Sequence, residues 1–231
     1  MFPFFNSDIQ PTLDSLAMPR SPIRRPSPEL DLTKYFREVD DLPDELNSQS
    51  LFRNGQPLEI EIGSGKGLFM ATAAQANEKH NFLGVEIANK YAQHAAARLA
   101  RTGVANAMMV AGNAEPLFQK NIAAGSLEAV HVYFPDPWWK KRHRKRRVVN
   151  ETSIRNICQS LREGGRFHFW TDVLDYFEIT IEMIADVVPQ LGVPIPEEEA
   201  EATHDLDYRT HFERRSRQHR IPVYRVRYEK R

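Results

Sequence analysis

The chain has 231 residues, of which 41% are hydrophobic and 27% are charged, a composition typical of a folded protein with a buried core. Its single cysteine, Cys158, excludes a disulfide framework and a cysteine-ligated zinc site, and it suits a cytoplasmic location. Because no stretch approaches ~18 consecutive apolar residues, we expect no membrane partner, and the N-terminus predicts no secretory signal.

The charges are balanced in number but segregated along the chain. Lysine plus arginine and aspartate plus glutamate each total 31. Residues 140–147 carry seven lysines and arginines in eight positions, and residues 209–231 carry nine against two acidic residues. Residues 197–207 hold six acidic residues and no lysine or arginine. Such clustering indicates a polyanionic partner that binds on one face of the protein.

The predicted elements follow a proline-rich segment. Residues 1–28 contain six prolines and are predicted to form a flexible tail ahead of one folded domain, residues 29–231. At most one short helix is expected within residues 29–56. From Leu58 onward, short apolar strands alternate with helices. The predicted strands are 58–62, 82–85, 107–110, 129–134, 166–170 and 223–228, and the predicted helices are 68–79, 89–101, 114–123, 150–161 and 174–188.

Repeated alternation of strand and helix predicts an α/β fold of the Rossmann-like kind. Parallel neighbours need crossover connections, so we expect a mostly parallel twisted sheet with helices on both faces and an antiparallel C-terminal edge strand. In such sheets a ligand binds beyond the carboxyl ends of the strands, at the switch point. The polar or glycine-rich positions at those predicted ends are 63–67, Glu86, Asn113, Asp136 and Asp172.

A glycine-rich turn joins the first of these strands to its helix. Gly63, Gly65 and Gly67 would let a ligand approach the backbone closely. Glu86 ends the following strand, 23 residues after Gly63, where a carboxylate can accept both hydroxyls of an adenosine ribose. Both a dinucleotide and S-adenosylmethionine satisfy this pattern.

Two further positions favour S-adenosylmethionine. Leu68 stands where the dinucleotide fingerprint requires a glycine. Glu61, just before the turn, would repel a pyrophosphate but attract the sulfonium and ammonium charges of S-adenosylmethionine. Asn113 is placed to bind the adenine edge.

The fourth predicted strand ends in Pro135-Asp136-Pro137-Trp138. The two prolines restrict the backbone around one carboxylate, and the indole is available to cover a planar base. The basic run 140–147 follows directly, which suits a site that neutralises phosphates while it presents one base. A rigid strand exit followed by a solvated loop is the structural alternative. The predicted contacts to an RNA backbone are Lys141, Arg142, Arg144, Lys145, Arg146 and Arg147.

Five motifs in order carry a family resemblance. They are Glu61-Ile62-Gly63-Ser64-Gly65, Gly84-Val85-Glu86, Phe134-Pro135-Asp136-Pro137-Trp138 with Lys140, Thr171-Asp172, and Thr210-His211-Phe212-Glu213. Over about residues 30 to 231 the chain resembles the tRNA (guanine-N7)-methyltransferase family of the TrmB type. The resemblance implies a class I methyltransferase fold and an S-adenosylmethionine donor, which leaves as S-adenosylhomocysteine. It implies tRNA as partner and, as target, the guanosine at position 46 in the variable loop.

The resemblance also implies roles for individual residues. Asp136 would be the catalytic residue. Four residues would contact the donor: Glu61, Glu86, Asn113 and Asp136. The implied substrate contacts are Lys140, Asp172, Thr210, His211, Phe212 and Glu213. Many bacterial members of the family have aspartate where this chain has Asn113, and an amide can still bind adenine. No histidine spacing indicates a metal, and the sequence leaves monomer and homodimer open.

Guanine N7 carries a lone pair and no proton, so it can attack a sulfonium methyl group without a base. The enzyme must then supply position and electrostatics. Asp136 could stabilise the charge that develops on the purine, or hold its N1–H and amino group. Asp172 and Glu213 are further acceptors for guanine's donor edge, with a helix cap and a surface ion pair with Arg214 as their structural alternatives.

Other interpretations remain open at this point. One is a methyltransferase that acts on an exocyclic amine of another RNA base, and the other is an RNA-binding module that has lost catalysis. The remaining chemistry-bearing residues are expected to be structural. Cys158 is predicted to lie in the core, and His131 and His168 fall inside strands.

Overall fold

The computed structural model describes residues 23, 26–138, 142, 146–198 and 208–231, so almost all of the predicted tail lies outside it. The strands are β1 (Phe36–Glu38), β2 (Leu58–Ile62), β3 (Asn81–Glu86), β4 (Ala107–Ala111), β5 (Leu127–Tyr133), β6 (Leu161–Thr171), β7 (Ile195–Pro196) and β8 (Tyr224–Glu229). The helices are α1 (Ser48–Phe52), α2 (Leu68–Ala76), α3 (Asn89–Thr102), α4 (Ala114–Lys120), α5 (Glu151–Ser160), α6 (Leu174–Val187) and α7 (His211–Gln218).

Within the described ranges, the eight strands form one sheet in the order β1-β4-β3-β2-β5-β6-β8-β7. The pairs from β1 to β6 are all parallel, and β8 runs antiparallel to β6. The predicted fold class is therefore confirmed. The chain builds outward from β2 through β3 to β4 and then returns to add β5 on the other side of β2, which places the switch point between β2 and β5.

Helices cover both faces of the sheet because alternate residues of each strand point to opposite sides. In β5, Val130 and Val132 join the core that contains Ile154 and Phe177 of α5 and α6. Tyr133 joins the other core, with residues of α2 and α3. Cys158 is buried, as predicted.

The boundary between α5 and β6 differs from the prediction. The sequence predicts a helix over 150–161 and a strand over 166–170, but α5 ends at Ser160 and β6 begins at once with Leu161, ahead of Gly164 and Gly165. The glycines lie in an irregular stretch of β6, where the register against β5 shifts between Leu127 and Ala129. A Cβ on Gly165 would lie 2.8 Å from the carbonyl oxygen of Arg162, so the close backbone approach at this bulge requires glycine.

Three charged or very short elements were not predicted. β1 has three residues and pairs with β4 at one edge, β7 adds two residues outside β8 at the other, and α7 follows residue 210. None of them has the apolar alternation on which the prediction depended. In the part of the chain that the structure describes, no helix has the length and apolar character needed to cross a membrane.

Candidate active site

The glycine turn after β2 has left-handed backbone at three positions. The φ angles of Gly63, Gly65 and Gly67 are 81°, 52° and 68°. A Cβ on Gly63 or Gly65 would have no atom within 4 Å, whereas one on Gly67 would lie 2.5 Å from the Cβ of Ala95 in α3. Gly67 is therefore required for helix packing, and the first two glycines face open space that a ligand can enter.

Glu86 at the end of β3 is fastened to this turn. Its Oε2 accepts a hydrogen bond of 2.9 Å from the Gly65 N–H, and its Oε1 accepts one of 2.9 Å from the Ala88 N–H. Two backbone donors fix the carboxylate and leave further lone pairs for a ligand. The next residue, Ile87, is 75% exposed and provides an apolar surface at the same strand end. Ile87 is not among the predicted site residues, although an apolar residue directly after a candidate ribose acceptor is a signal that the sequence contains.

Glu61 lies buried beneath the turn. It is 3% exposed, and its Oε2 has no hydrogen-bond partner among the described residues. Burial raises the pKa of Glu61 to about 8, and the neighbouring charge of Glu86 acts in the same direction while Ser64 opposes it. A buried carboxyl with one unpaired oxygen beside an open glycine turn fits a ligand with positive charge.

Asn113 begins α4 at the end of the β4 segment. Its side-chain oxygen accepts a hydrogen bond of 3.1 Å from the Glu115 N–H and so caps the helix. The residue is exposed, and its amide NH₂ group stays available to a ligand. The cap fixes the side chain at the edge where Glu86 also ends its strand.

The turn after β5 has strained backbone at both ends. Phe134 and Trp138 have φ angles of 49° and 44°, a region that residues other than glycine rarely occupy. Asp136 lies between them and is exposed. Arg147 stabilises the turn, because its Nε donates a hydrogen bond of 2.8 Å to the Pro137 carbonyl oxygen.

The arginines after this turn have different environments. Arg147 is buried and its guanidinium lies 4.4 Å from the ring centroid of Tyr176, so its side chain has a structural role, and its contact with RNA stays a prediction. Arg142 and Arg146 are exposed, and Arg146 lies 5.2 Å from the Trp138 ring. The remaining predicted contacts of this run lie outside the described residues: Lys140, Lys141, Arg144 and Lys145.

Asp172 follows β6 and is exposed at the same edge of the sheet. It does not cap α6, since the N-cap residue is Val173, whose N–H bonds Oγ1 of Thr171 at 3.2 Å. The capping alternative for Asp172 is therefore wrong, and its carboxylate stays available to a ligand.

The N-terminus of α7 packs against the Asp136 turn. Thr210 caps the helix through a 3.0 Å hydrogen bond from the Glu213 N–H to its Oγ1. The ring of Phe212 stacks on that of Phe134, with centroids 6.0 Å apart and planes at 19°, yet Phe212 stays 43% exposed. An aromatic face is thus presented next to the turn that carries Asp136.

Glu213 has a structural role in this arrangement. It is 3% exposed, its Oε2 accepts a 2.7 Å bond from the Arg209 N–H, and its Oε1 lies 3.2 Å from Nη2 of Arg225. Its ion pairs are with Arg225, at 3.2 Å, and with Arg217, at 3.9 Å, and the carboxylate is buried, which differs from the surface-pair alternative. A contact between Glu213 and guanine would require the carboxylate to exchange one of these partners, and it stays a prediction.

A mostly parallel sheet with helices on both faces, a glycine turn after β2 and a fixed carboxylate at the end of the neighbouring β3 are the features of a class I methyltransferase. Solved structures agree on the fold. The 16S rRNA methyltransferase KamB matches with a TM-score of 0.58 and 15% identity, over 80% of this chain and 95% of that one. The aminoglycoside resistance methyltransferase NpmB1 matches with a TM-score of 0.50 and 17% identity, over 76% and 87%.

Sequence comparison identifies the family. A family model described as "Putative methyltransferase" matches residues 55–226. The tRNA (guanine-N(7)-)-methyltransferase of Rhodopirellula baltica is 61% identical over 221 residues, which are 94% of this chain and 82% of that protein. The enzyme of the same name from Geobacter metallireducens is 39% identical over 142 residues, 62% of this chain and 67% of that protein. The chain belongs to the tRNA (guanine-N7)-methyltransferase family.

Proposed function

We propose that this protein transfers a methyl group from S-adenosylmethionine to N7 of the guanosine at position 46 in the variable loop of tRNA. The observation that carries the proposal is that the region suited to the donor lies next to the region suited to the target base. The glycine turn follows β2 and the Asp136 turn follows β5, and these strands are direct neighbours, paired through Ile62 and Val132. A donor turn and an exposed carboxylate therefore lie side by side.

The residues around the glycine turn suit the donor. Glu86 would accept the ribose hydroxyls, Asn113 and Ile87 would contact adenine, and Glu61 would balance the positive charge of the methionine portion. Backbone at Gly63 would allow close approach. When bound, S-adenosylmethionine supplies an electrophilic methyl group on a positively charged sulfur.

The chain needs no general base for this acceptor, because guanine N7 has a lone pair and no proton. Its residues must hold the base in line and stabilise the positive charge that develops on the purine. Asp136 is exposed between Phe134 and Trp138, whose backbone strain fixes the turn. Its carboxylate would either stabilise that charge or accept hydrogen bonds from the N1–H and amino group of guanine.

Substrate recognition would use the aromatic and polar groups that surround Asp136. Phe212 offers an exposed ring on which a base can stack. Asp172 and Thr210 lie at the ends of β6 and α7 and would contact the guanine edge. Arg142 and Arg146 are exposed and would bind phosphates. Lys140 and the basic positions 141, 144 and 145 remain predicted contacts.

The proposal includes a cytoplasmic location and one methyltransferase domain over residues 29–231. The free, buried thiol of Cys158 supports a reducing compartment. The described strands from Phe36 to Glu229 share one sheet, which supports a single domain.

The test is methyl transfer to an unmodified tRNA transcript with labelled donor, followed by nucleoside analysis and mapping of the modified position. We expect N7-methylguanosine at position 46 and no product on a matched transcript with adenosine at that position. A methylated exocyclic amine, or N7-methylguanosine at another position, would replace this proposal. Binding of tRNA without any methyl transfer would favour the non-catalytic RNA-binding alternative.

A further inference from the structure

Three elements bring basic groups together beside the candidate site. Nε of Arg98 in α3 donates a hydrogen bond of 3.1 Å to the carbonyl oxygen of Lys66 in the glycine turn. Nη2 of the same guanidinium lies 3.2 Å from Nε2 of His211 at the start of α7. Arg98 therefore connects the donor turn to the segment that carries the exposed ring of Phe212.

The surroundings of His211 are positively charged. Burial lowers the pKa of His211 to about 4, and the charges of Arg98, Lys66, Arg214 and His94 act in the same direction. At neutral pH the imidazole is therefore neutral, and its Nε2 accepts from the Arg98 guanidinium. The charged groups that face it come from the glycine turn, α3 and α7.

Among the residues that the structure describes, no carboxylate forms an ion pair with Lys66, Arg98 or Arg101. Burial lowers the pKa of Arg98, and the charge of the nearby Arg101 lowers it further. Like charges held together without compensation create a positive potential that an external anion relieves.

The positive surface continues along α3. His94, Arg98 and Arg101 are spaced four and three residues apart, so they share one face of the helix. Arg101 is exposed and extends this face away from the glycine turn. The stripe is separate in sequence from the basic run 140–147.

We propose that this α3 cationic surface, formed by Lys66, Arg98 and Arg101 beside the neutral imidazole of His211, binds the phosphodiester backbone of the substrate RNA. The inference rests on the proposed function, because a base on Phe212 would place its flanking phosphates near this surface. Guanidinium groups match phosphate geometry with paired donors, and the tRNA of the proposed function carries a row of phosphates that several cations can contact at once. The surface gives the tRNA a second contact region in addition to the run after Asp136.

The test measures tRNA binding by the intact protein without donor over a series of salt concentrations. Arg101→Gln and Arg98→Gln are each expected to weaken binding about three- to tenfold at low salt and to reduce the slope of log affinity against log salt by about 0.7 to 0.9. Lys120→Gln is the matched control. Lys120 is exposed at the end of α4, which packs on the opposite face of the sheet from α3, and the slope should not change.

Arg98→Lys separates charge from structure. It keeps the positive charge, so the slope should be retained even though the hydrogen bond to the glycine turn is lost. Arg101 makes no contact with that turn, and donor binding to Arg101→Gln should equal that of the wild-type protein in calorimetry.

Unchanged slopes in both glutamine variants would overturn the inference, as would loss of affinity without loss of slope in Arg101→Gln. The proposed function fails in a different way. If the wild-type protein does not methylate the guanosine at position 46, the proposed function is wrong. If it does, and the salt slopes of the variants equal that of the wild type, only the proposed role of the α3 cationic surface is wrong.

Discussion

The phenolic oxygen of Tyr133, the last residue of β5, accepts a hydrogen bond of 2.9 Å from Nη1 of Arg209, the residue before the N-cap of α7. Because a guanidinium only donates, the Tyr133 O–H is directed at the other neighbour, Nδ1 of His131, at 2.8 Å. His131 then donates from Nε2 to the carboxylate of Glu59 at 2.7 Å. The hydrogen bonds thus run in one direction from α7 to the centre of the sheet.

Protonation states support this direction. Burial lowers the pKa of His131 to about 4, so the imidazole is neutral at neutral pH. Burial opposes ionisation of Glu59, but hydrogen bonds from His131 and His80 lower its pKa to about 2. A neutral imidazole between a phenol and a carboxylate satisfies both neighbours in only one tautomer, in which Nδ1 accepts from Tyr133 and Nε2 carries the proton donated to Glu59. The network therefore fixes where α7 begins.

Tyr133→Phe removes one hydroxyl from this network. We expect KM for tRNA to rise several-fold with little change in donor affinity, because Arg209 loses its acceptor and Thr210 shifts. Stability should fall by about 1–3 kcal/mol, because buried polar groups lose partners. Steady-state kinetics and urea unfolding measure the two effects. Tyr228→Phe is the control, since its buried hydroxyl has no partner among the described residues and its removal should be neutral. Equal effects of the two variants would contradict this role.

The same network predicts how acid destabilises the protein. Between the ordinary pKa of 6.5 and the folded value of about 4, the unfolded chain binds a proton on His131 that the native state does not. The stabilisation is complete above pH 6.5 and is lost as the pH falls toward 4. Urea unfolding at a series of pH values should show a smaller loss for His131→Gln. The exposed His219→Gln should follow the wild type, and identical curves for all three proteins would refute the assignment.

Much of the fold was predictable because the central strands are apolar runs. The predicted 58–62 is the observed β2, and the turn that begins at Gly63 follows it. The start of α7 had a local signal that was not used. Thr210 and Glu213 have the spacing of a helix-capping pair, and the N–H of the second does bond the side chain of the first.

The rest of α7 had no such signal. Its sequence, from His211 to Gln218, is almost wholly polar, and tertiary contacts hold it in place. Arg225 pairs with Glu213, and Phe134 stacks on Phe212. The partners in each pair belong to different elements, and the spacing of apolar residues within one segment gives no information about such contacts. The burial of Arg147 could not be predicted for a similar reason. The residue ends a run of lysines and arginines, which predicts exposure to solvent, and the ring that it contacts, Tyr176, lies on α6.

Phe212→Ala removes the exposed ring on which the target base is proposed to stack. Base–aromatic stacking contributes about 1–3 kcal/mol, so kcat/KM for tRNA should fall by about five- to 150-fold with donor affinity unchanged. Phe212→Trp should retain most activity. Ile179→Ala is the matched control, because Ile179 is a large apolar side chain of similar exposure, 41%, on α6. If Phe212→Ala and Ile179→Ala behave alike, the ring does not contact the substrate.

Donor affinity should depend on pH through Glu61. Its pKa of about 8 means that the carboxyl is protonated at neutral pH in the free protein, while a positively charged ligand favours the ionised form. The dissociation constant of S-adenosylmethionine should therefore decrease by up to about tenfold per unit as the pH rises toward 8, and level off above it. Calorimetry with Glu61→Gln should show weaker binding and lose this dependence. A dependence that persists in Glu61→Gln would come from another group.

Asp136→Ala should abolish methyl transfer without disturbing the fold. The side chain is exposed, so the midpoint of thermal unfolding should hardly change, and donor binding should weaken only by the loss of one contact because Glu86 and Asn113 are intact. Loss of a group that stabilises developing charge or holds the base should lower kcat by at least about 100-fold. Asp186→Ala removes an exposed carboxylate on α6 and should leave kcat unchanged. Single-turnover transfer to tRNA with saturating donor measures the chemical step directly, and turnover near the wild-type rate would remove Asp136 from the mechanism.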